Sequence, residues 1–258
     1  MRDQVEAVRD EFTRQAESLA AGVVFNDETI LARIREAAAL TRQSRVLDVA
    51  CGPGIVAAAL APDAGEVVAC DLTPEMVARA QARCAKAGYA NVRCVLGRAE
   101  ALPFDAACFD AVVCRSALHH FLRPAAALTE MARVLRADGR AVILDVISAE
   151  DAEASALHNA LENVRDPSHV RMLSRSELYA QLGEAGLEVA RAAGWTNHRE
   201  FEEWLKIVNA PERAQSLRAI MTALAQAGID AGIGLRLEAG RIRFEHSPLL
   251  VVARKQRA

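Results

Sequence analysis

The stretch from Arg45 to Asp71, RVLDVACGPGIVAAALAPDAGEVVACD, constrains the fold more than any other part of the chain. A short apolar run, Val46-Leu47-Asp48-Val49-Ala50, meets a glycine turn, Cys51-Gly52-Pro53-Gly54. Ile55 to Leu60 has the small residues of a short packed helix, and Val67 to Cys70 returns as a second apolar run that stops on Asp71. This is the pattern of a βαβ unit, and its first strand is nearly apolar throughout, as suits a strand covered by helices on both faces. Gly52 and Gly54 are expected to let the backbone turn tightly and approach a ligand, because a Cβ at either would intrude. The helix that follows aims free N–H groups at the turn, while Asp71, at the tip of the neighbouring strand, is placed to accept two hydrogen bonds from a ribose diol. These residues point to a nucleoside site.

Two nucleosides compete for it. Gly52-Pro53-Gly54-Ile55-Val56-Ala57 matches the dinucleotide fingerprint G-x-G-x-x-G/A, with an acid near the expected distance, which would make the chain an NAD(P)-linked oxidoreductase. No hydride-transfer constellation accompanies it, since Tyr89 and Tyr179 both lack a lysine four residues on. Asp48, two residues before the turn begins, would repel a pyrophosphate but suits a ligand with a cationic amino group; its other reading is a cap on the glycine turn. The stretch resembles class I S-adenosylmethionine-dependent methyltransferases, whose first motif is an acid followed by x-x-C/G-G-x-G, and Thr73-Pro74-Glu75-Met76 after Asp71 fits that family's D-x-S/T-x-x-M. The resemblance implies S-adenosyl-L-methionine as methyl donor, S-adenosyl-L-homocysteine as product, and cofactor contacts from Asp48, Ala50, Cys51, Gly52, Gly54, Asp71, Leu72 and Met76.

After a third strand, Val92 to Leu96, the segment Gly97-Arg98-Ala99-Glu100-Ala101-Leu102-Pro103-Phe104 resembles the methyltransferase G-D-A-E-x-L-P-F that borders adenine. The family acid is Arg98 here, which leaves recognition to the backbone of Ala99 and to Glu100, with Arg98 either stacked on the purine or solvated. A fourth strand, Phe109 to Cys114, delivers Arg115-Ser116-Ala117-Leu118-His119-His120-Phe121 to the ligand end of the sheet. This segment resembles the R-x-x-x-H-H-F of the UbiE/YcgJ-like (methyltransferase type 11) branch. Because histidine titrates near neutrality, His119 or His120 is the candidate base where a methyl acceptor must lose a proton, and Arg115 the candidate contact to an anionic acceptor or to the methionine carboxylate. In an extended segment neighbouring side chains face opposite ways, so one functional histidine and one packed histidine are expected.

The expected fold class is α/β: a doubly wound, seven-stranded, mostly parallel Rossmann-like sheet with an antiparallel last strand. Residues 1–44 read as helical, with Val5, Val8, Phe12, Gln15-Ala16 and Leu19 at helical spacing and a second helix from Thr29 to Leu40. Phe12-x-x-Gln15-Ala16 resembles the F-x-x-x-A element of small-molecule methyltransferases, which implies an N-terminal helical lid over cofactor and substrate, the other reading being an ordinary amphipathic helix packed on the sheet. Residues 45–147 form the cofactor-binding core. Residues 148–258 complete the sheet and carry a substrate-side helical insertion at about 148–173 and 196–240. Ser174 and Glu177 make a capping box. Arg241 to Glu245 and Leu249 to Lys255 read as the arms of a hairpin. Phe12, Gln15, His119, His158, Glu162, His169, Met172 and Trp204 are the candidate substrate contacts, the run Asp166-Pro167-Ser168-His169-Val170-Arg171 again resembling the YcgJ-like branch.

A net charge of −3 argues against nucleic-acid binding, because no basic excess exists to neutralise phosphates. The six cysteines include no C-x-x-C and several fall in apolar strands, so reduced thiols are expected and no metal is assigned. No segment approaches about 20 uninterrupted apolar residues, and the N-terminus lacks a signal-peptide core, so a cytoplasmic protein without a membrane span is expected. The leading function is methyl transfer to a small organic acceptor at O, N or C by a monomer or homodimer. A homologue that binds the same cofactor for cyclase-like or regulatory work has identical binding motifs.

Overall fold

A computed structural model describes residues 6, 9–14, 26–208 and 211–256 of the protein. The apolar runs become β1 (Arg45–Val49), β2 (Glu66–Asp71), β3 (Val92–Leu96), β4 (Phe109–Arg115) and β5 (Leu135–Ile147), all parallel. They continue through β9 (Arg241–Lys255) to β6 (Leu187–Gly194) in the order β3-β2-β1-β4-β5-β9-β6. As expected, β9 runs antiparallel between β5 and β6. The chain winds outward from β1 in both directions, so the β1/β4 junction is a topological switch point, where ligands of open α/β sheets bind.

Alternation along the strands sorts the core into two layers. Val46, Val67, Ala69, Ala111 and Val113 pack beneath α2 (Glu28–Ala38), α3 (Ile55–Leu60) and α4 (Pro74–Lys86). Leu47, Val49, Val68, Val112 and Cys114 face α5 (Pro124–Val134) and α7 (Arg175–Glu184) on the other side. Side chains one residue apart reach opposite helices, and so every central strand is apolar on both faces. The capping box forms as read: Glu177 N–H donates to Ser174 Oγ, and Ser174 N–H donates to the Glu177 carboxylate.

Beyond the sheet, α6 (Ala152–Arg165), α8 (Phe201–Val208) and α9 (Pro211–Gln226) enclose a third cluster around Trp204, Phe201, Phe244 and Met221. Here the structure corrects the expected hairpin. Arg241 to Lys255 is one continuous strand, whose first half pairs with β7 (Asn197–Glu200) and β8 (Arg236–Glu238) and whose second half pairs with β5 and β6. Pro248, between the two expected arms, sits where β6 hands over to β7. Its carbonyl accepts from Trp195 N–H at 3.2 Å, so its missing N–H costs the ladder nothing on the side where the neighbour changes. The main path of the sheet thus has the seven strands expected, with β7 and β8 added off it along the first half of β9, and Asn197 to Glu200, within the stretch expected to be a helical insertion, form β7. Residues 9–14 are helical (α1), while Val5, Val8, Gln15, Ala16 and Leu19 of the proposed lid lie outside the described residues.

Candidate active site

The carboxyl ends of β1, β2, β4 and β5 open into a cavity of about 940 Å³. The turn after β1 is built around Asp71. Gly52 N–H donates to Asp71 Oδ2 at 2.8 Å and Thr73 N–H donates to Oδ1 at 2.9 Å, so one carboxylate holds the turns after both strands. Thr73 occupies the N-cap of α4 as expected, but its side chain makes no cap bond. Asp71 also lines the cavity, where a ligand hydroxyl can meet it. Burial raises the Asp71 pKa against the lowering effect of these backbone bonds.

Gly52 and Gly54 both have positive φ, +52° and +79°, but for different reasons. A Cβ on Gly52 would meet nothing within 4 Å and would project into open space, whereas one on Gly54 would lie 2.7 Å from Ala80 Cα. The expectation that Gly54 makes room for a ligand is thus corrected: it makes room for α4 against α3, and it does not line the cavity. Gly54→Ala combines a left-handed strain of about 1–2 kcal/mol with overpacking of about 1–3 kcal/mol. It is expected to lower the melting temperature by several degrees more than Gly52→Ala. Equal melting temperatures for the two variants would refute the packing account.

Asp48 is 1% exposed. One side of its carboxylate takes a backbone bond from Ala57 in the first turn of α3, not from the glycine turn, and Oδ2 is buried with no hydrogen-bond partner. Burial pushes its pKa to about 8, aided by the Asp71 charge and opposed by the Ala57 bond and Arg115. Ala50, Cys51, Leu72 and Met76 line the cavity beside it. Burial and the two carboxylates push the Cys51 thiol well up, so it stays protonated and is no nucleophile. Arg98, Ala99 and Glu100 border the same cavity; Arg98 is about half exposed, with Nε 3.9 Å from Glu100 Oε2.

At the end of β4, Arg115 lines the cavity, where desolvation lowers its pKa against the charge of Asp48. Leu118–His120 then forms a 3₁₀ turn. This overturns the expectation that the two histidines point apart. With three residues per 3₁₀ turn successive side chains stand about 120° apart rather than opposite, and the rings of His119 and His120 both line the cavity with centroids 4.1 Å apart. His119 Nδ1 lies 2.5 Å from Oδ1 of Asp145, a residue the sequence reading passed over. Burial alone would lower the His119 pKa, but the charge and hydrogen bond of Asp145 outweigh it and raise the pKa above 6.5. Burial works against the Asp145 anion too, and the histidines reverse it, holding that carboxyl below 3.8. His120 goes the other way: burial, then the neighbouring His119 charge, lowers it to about 4. Its Nδ1 lies 3.0 Å from Ser168 O, and its ring stands edge-on to Phe12 at 4.7 Å.

The loop after α6 packs directly on this turn. Val170 and Arg171 N–H both donate to His119 O, at 2.9 and 3.0 Å, and Asp166 takes the Ser168 N–H and Oγ–H. His169 Nε2 lies 2.8 Å from Asn159 Oδ1, and Met172 N–H donates to the same oxygen. Phe12, Glu162, His169, Met172 and Trp204 line the cavity with the two histidines, Trp204 serving also as core of the third cluster. His158 does not line it; it is buried on α6 beside Glu162. Gln15 lies outside the described residues. Asp145 carried a signal that was available: like Asp48 in VLDVA, it is the one charge in an apolar run, AVILDVI, at the ligand end of its strand.

Comparison with known proteins agrees with this geometry. Residues 47–143 match the family described as "Methyltransferase domain". The methyltransferase YcgJ of Bacillus subtilis (strain 168) is 35% identical over 220 residues, which cover 85% of this chain and 86% of that protein. The crystal structure of YcgJ superposes with a TM-score of 0.82 at 32% identity, covering 88% of this chain and 98% of that one. That of BH2331 from Bacillus halodurans C-125 superposes with a TM-score of 0.83 at 34% identity, covering 88% and 99%. A cavity at the switch point with an acid at each of two adjacent strand tips, in a chain alike to YcgJ over most of its length, identifies this protein as a member of the S-adenosylmethionine-dependent methyltransferase family to which YcgJ belongs.

Proposed function

We propose that this methyltransferase binds S-adenosylmethionine at the β1 and β2 tips and methylates a small organic molecule held between the histidine turn and α6 to α8. The observation that carries the reading is Asp48 Oδ2, a buried acceptor with no protein partner at the wall of a cavity whose Gly52 corner is open. Burial without a partner is costly for such a group, and a ligand ammonium would relieve it. Asp71 would take the ribose hydroxyls, and Ala99 with Glu100 the adenine edge.

S-adenosylmethionine supplies a methyl carbon on a cationic sulfur, already activated for displacement. The chain has to align the acceptor, exclude water, and take a proton where the acceptor carries one. His119 is the base of this proposal: with Nδ1 held by Asp145, the ring offers Nε2 as its second nitrogen, the arrangement by which a carboxylate orients a catalytic imidazole. His120, kept neutral by burial and tied to Ser168, positions that ring and the acceptor. Arg115 neutralises an anionic acceptor or the amino-acid carboxylate. Met172 and Trp204 form the dry wall. No described helix is long and apolar enough to cross a membrane, and all six cysteines are free, in keeping with residence in the cytoplasm.

Calorimetry with S-adenosylhomocysteine and with NAD tests the cofactor. The homocysteine product is expected to bind at micromolar levels and NAD not at millimolar. With Asp48 near 8 in the free protein, docking of an ammonium ionises it, so binding at pH 7 is expected to release a proton and its heat to depend on the buffer. Uptake of NAD alone would sink the reading. A methyl-acceptor screen with mass detection of products then separates transfer from cyclase-like or regulatory use of the cofactor.

A further inference from the structure

Behind the acceptor half of the cavity lies a side-chain cluster that the methyl-transfer reading does not use. His158 and Glu162 stand one turn apart on α6, and His246 reaches them from the first half of β9. Glu162 Oε1 is 3.0 Å from His246 Nε2 and 3.8 Å from His158 Nε2, and the three donor atoms all lie within 4.8 Å of one another. Among the described residues this is the one group of three or more histidine, cysteine or carboxylate side chains so arranged.

Three features go beyond a buried polar knot. Both Nε2 atoms are buried without a well-aligned hydrogen bond, although they lie 3.0 Å (His246) and 3.8 Å (His158) from the same carboxylate oxygen. The other oxygen, Glu162 Oε2, is already taken by Arg165, 2.9 Å from Nε and 2.8 Å from the terminal nitrogen, which leaves Oε1 as a single-atom donor facing the imidazoles. The rings of Phe244 and Trp204 wall the cluster, 5.3 and 6.5 Å from His246 between centroids, and supply the apolar shell that holds ligands in place.

We propose that His158, Glu162 and His246 bind one divalent first-row transition ion, of the Zn(II) or Fe(II) kind, at the acceptor end of the cavity. Two imidazole nitrogens and one carboxylate oxygen suit such an ion and do not suit magnesium or calcium, which take oxygen donors. Bonds of about 2.0–2.1 Å place ligand atoms about 3.0–3.4 Å apart, so the ion needs side-chain adjustments of well under about 1.5 Å from the present positions. Glu162 and His246 line the cavity, so the ion's remaining positions open onto it, close to Arg165 and Arg199 on the same wall. An oxyanion of the acceptor is the ligand class those positions would take. The proposal rests on the methyltransferase reading for the acceptor's location only.

The test is titration of chelator-stripped, full-length protein with Zn(II) by calorimetry, with S-adenosylhomocysteine binding measured on the same sample. One equivalent of Zn(II) is expected to bind with micromolar or tighter affinity, and His158→Ala or His246→Ala to weaken it by about 100-fold or more while S-adenosylhomocysteine still binds. X-ray absorption of the unmodified Zn(II)-loaded protein is expected to count two imidazoles, a readout that does not depend on the variants folding. Protein that binds S-adenosylhomocysteine but takes up no Zn(II) overturns the metal site and leaves the methyltransferase reading intact. Uptake that survives both variants, or is lost instead on His119→Ala, overturns it as well.

Discussion

His119→Ala is expected to lower the turnover of methyl transfer by about 10²–10⁴-fold, the usual worth of a positioned general base, while leaving S-adenosylhomocysteine affinity within about threefold. The expectation rests on the His119–Asp145 pair: a buried carboxylate 2.5 Å from Nδ1 orients the ring at the cavity wall and stabilises its protonated form. The pH dependence separates this role from packing. His119 acts as a base only when neutral, so activity should rise with pH through a folded pKa above 6.5. Asp145→Asn keeps the shape and removes the charge that raises that pKa, which should shift the rising limb to lower pH and reduce the plateau. His120, near 4, is already neutral over that range and contributes no limb. A His119→Ala enzyme with full turnover, or an Asp145→Asn enzyme with an unmoved pH profile, would show that alignment alone drives the reaction.

Asp71→Ala is the second large effect. The carboxylate is 8% exposed, receives Gly52 N–H and Thr73 N–H, and would also receive the ribose hydroxyls. Hydrogen bonds to a charged group contribute about 1.5–3 kcal/mol each, so losing two predicts a fall in S-adenosylhomocysteine affinity of about 10²-fold or more. Some of that loss would come from slackening of the β1 turn, which Asp71→Asn distinguishes. The amide oxygen still accepts one bond, so the asparagine variant should fall between wild type and alanine in affinity, and above alanine in melting temperature. Calorimetry giving an alanine variant within threefold of wild type would remove Asp71 from the ribose.

The βαβ unit was readable because it is local: a strand, a glycine turn, a helix and a second strand lie within one continuous stretch, and each announces itself by period and composition. The capping box at Ser174 and the apolar character of every central strand were readable for the same reason. Residues that follow a parallel strand face the ligand, so Asp71, Arg115 and both histidines could be brought to the site from their position alone.

Pairings between distant segments were not readable. His119 meets Asp145 because β4 and β5 align with Arg115 opposite Leu144, which puts Asp145 just past the end of β4; this register is set by packing between strands, not by any local motif. The two histidines share one wall because the turn there is 3₁₀ rather than extended. Gly54 serves a helix contact and Gly52 an open cavity, although the same turn carries both. His246 joins His158 and Glu162 only because β9 runs unbroken through Pro248 and carries its first half against the insertion. Local propensity sets which segments are strands and helices; the layering of those segments on one another sets which side chains become neighbours, and in this protein its chemistry depends on those neighbours.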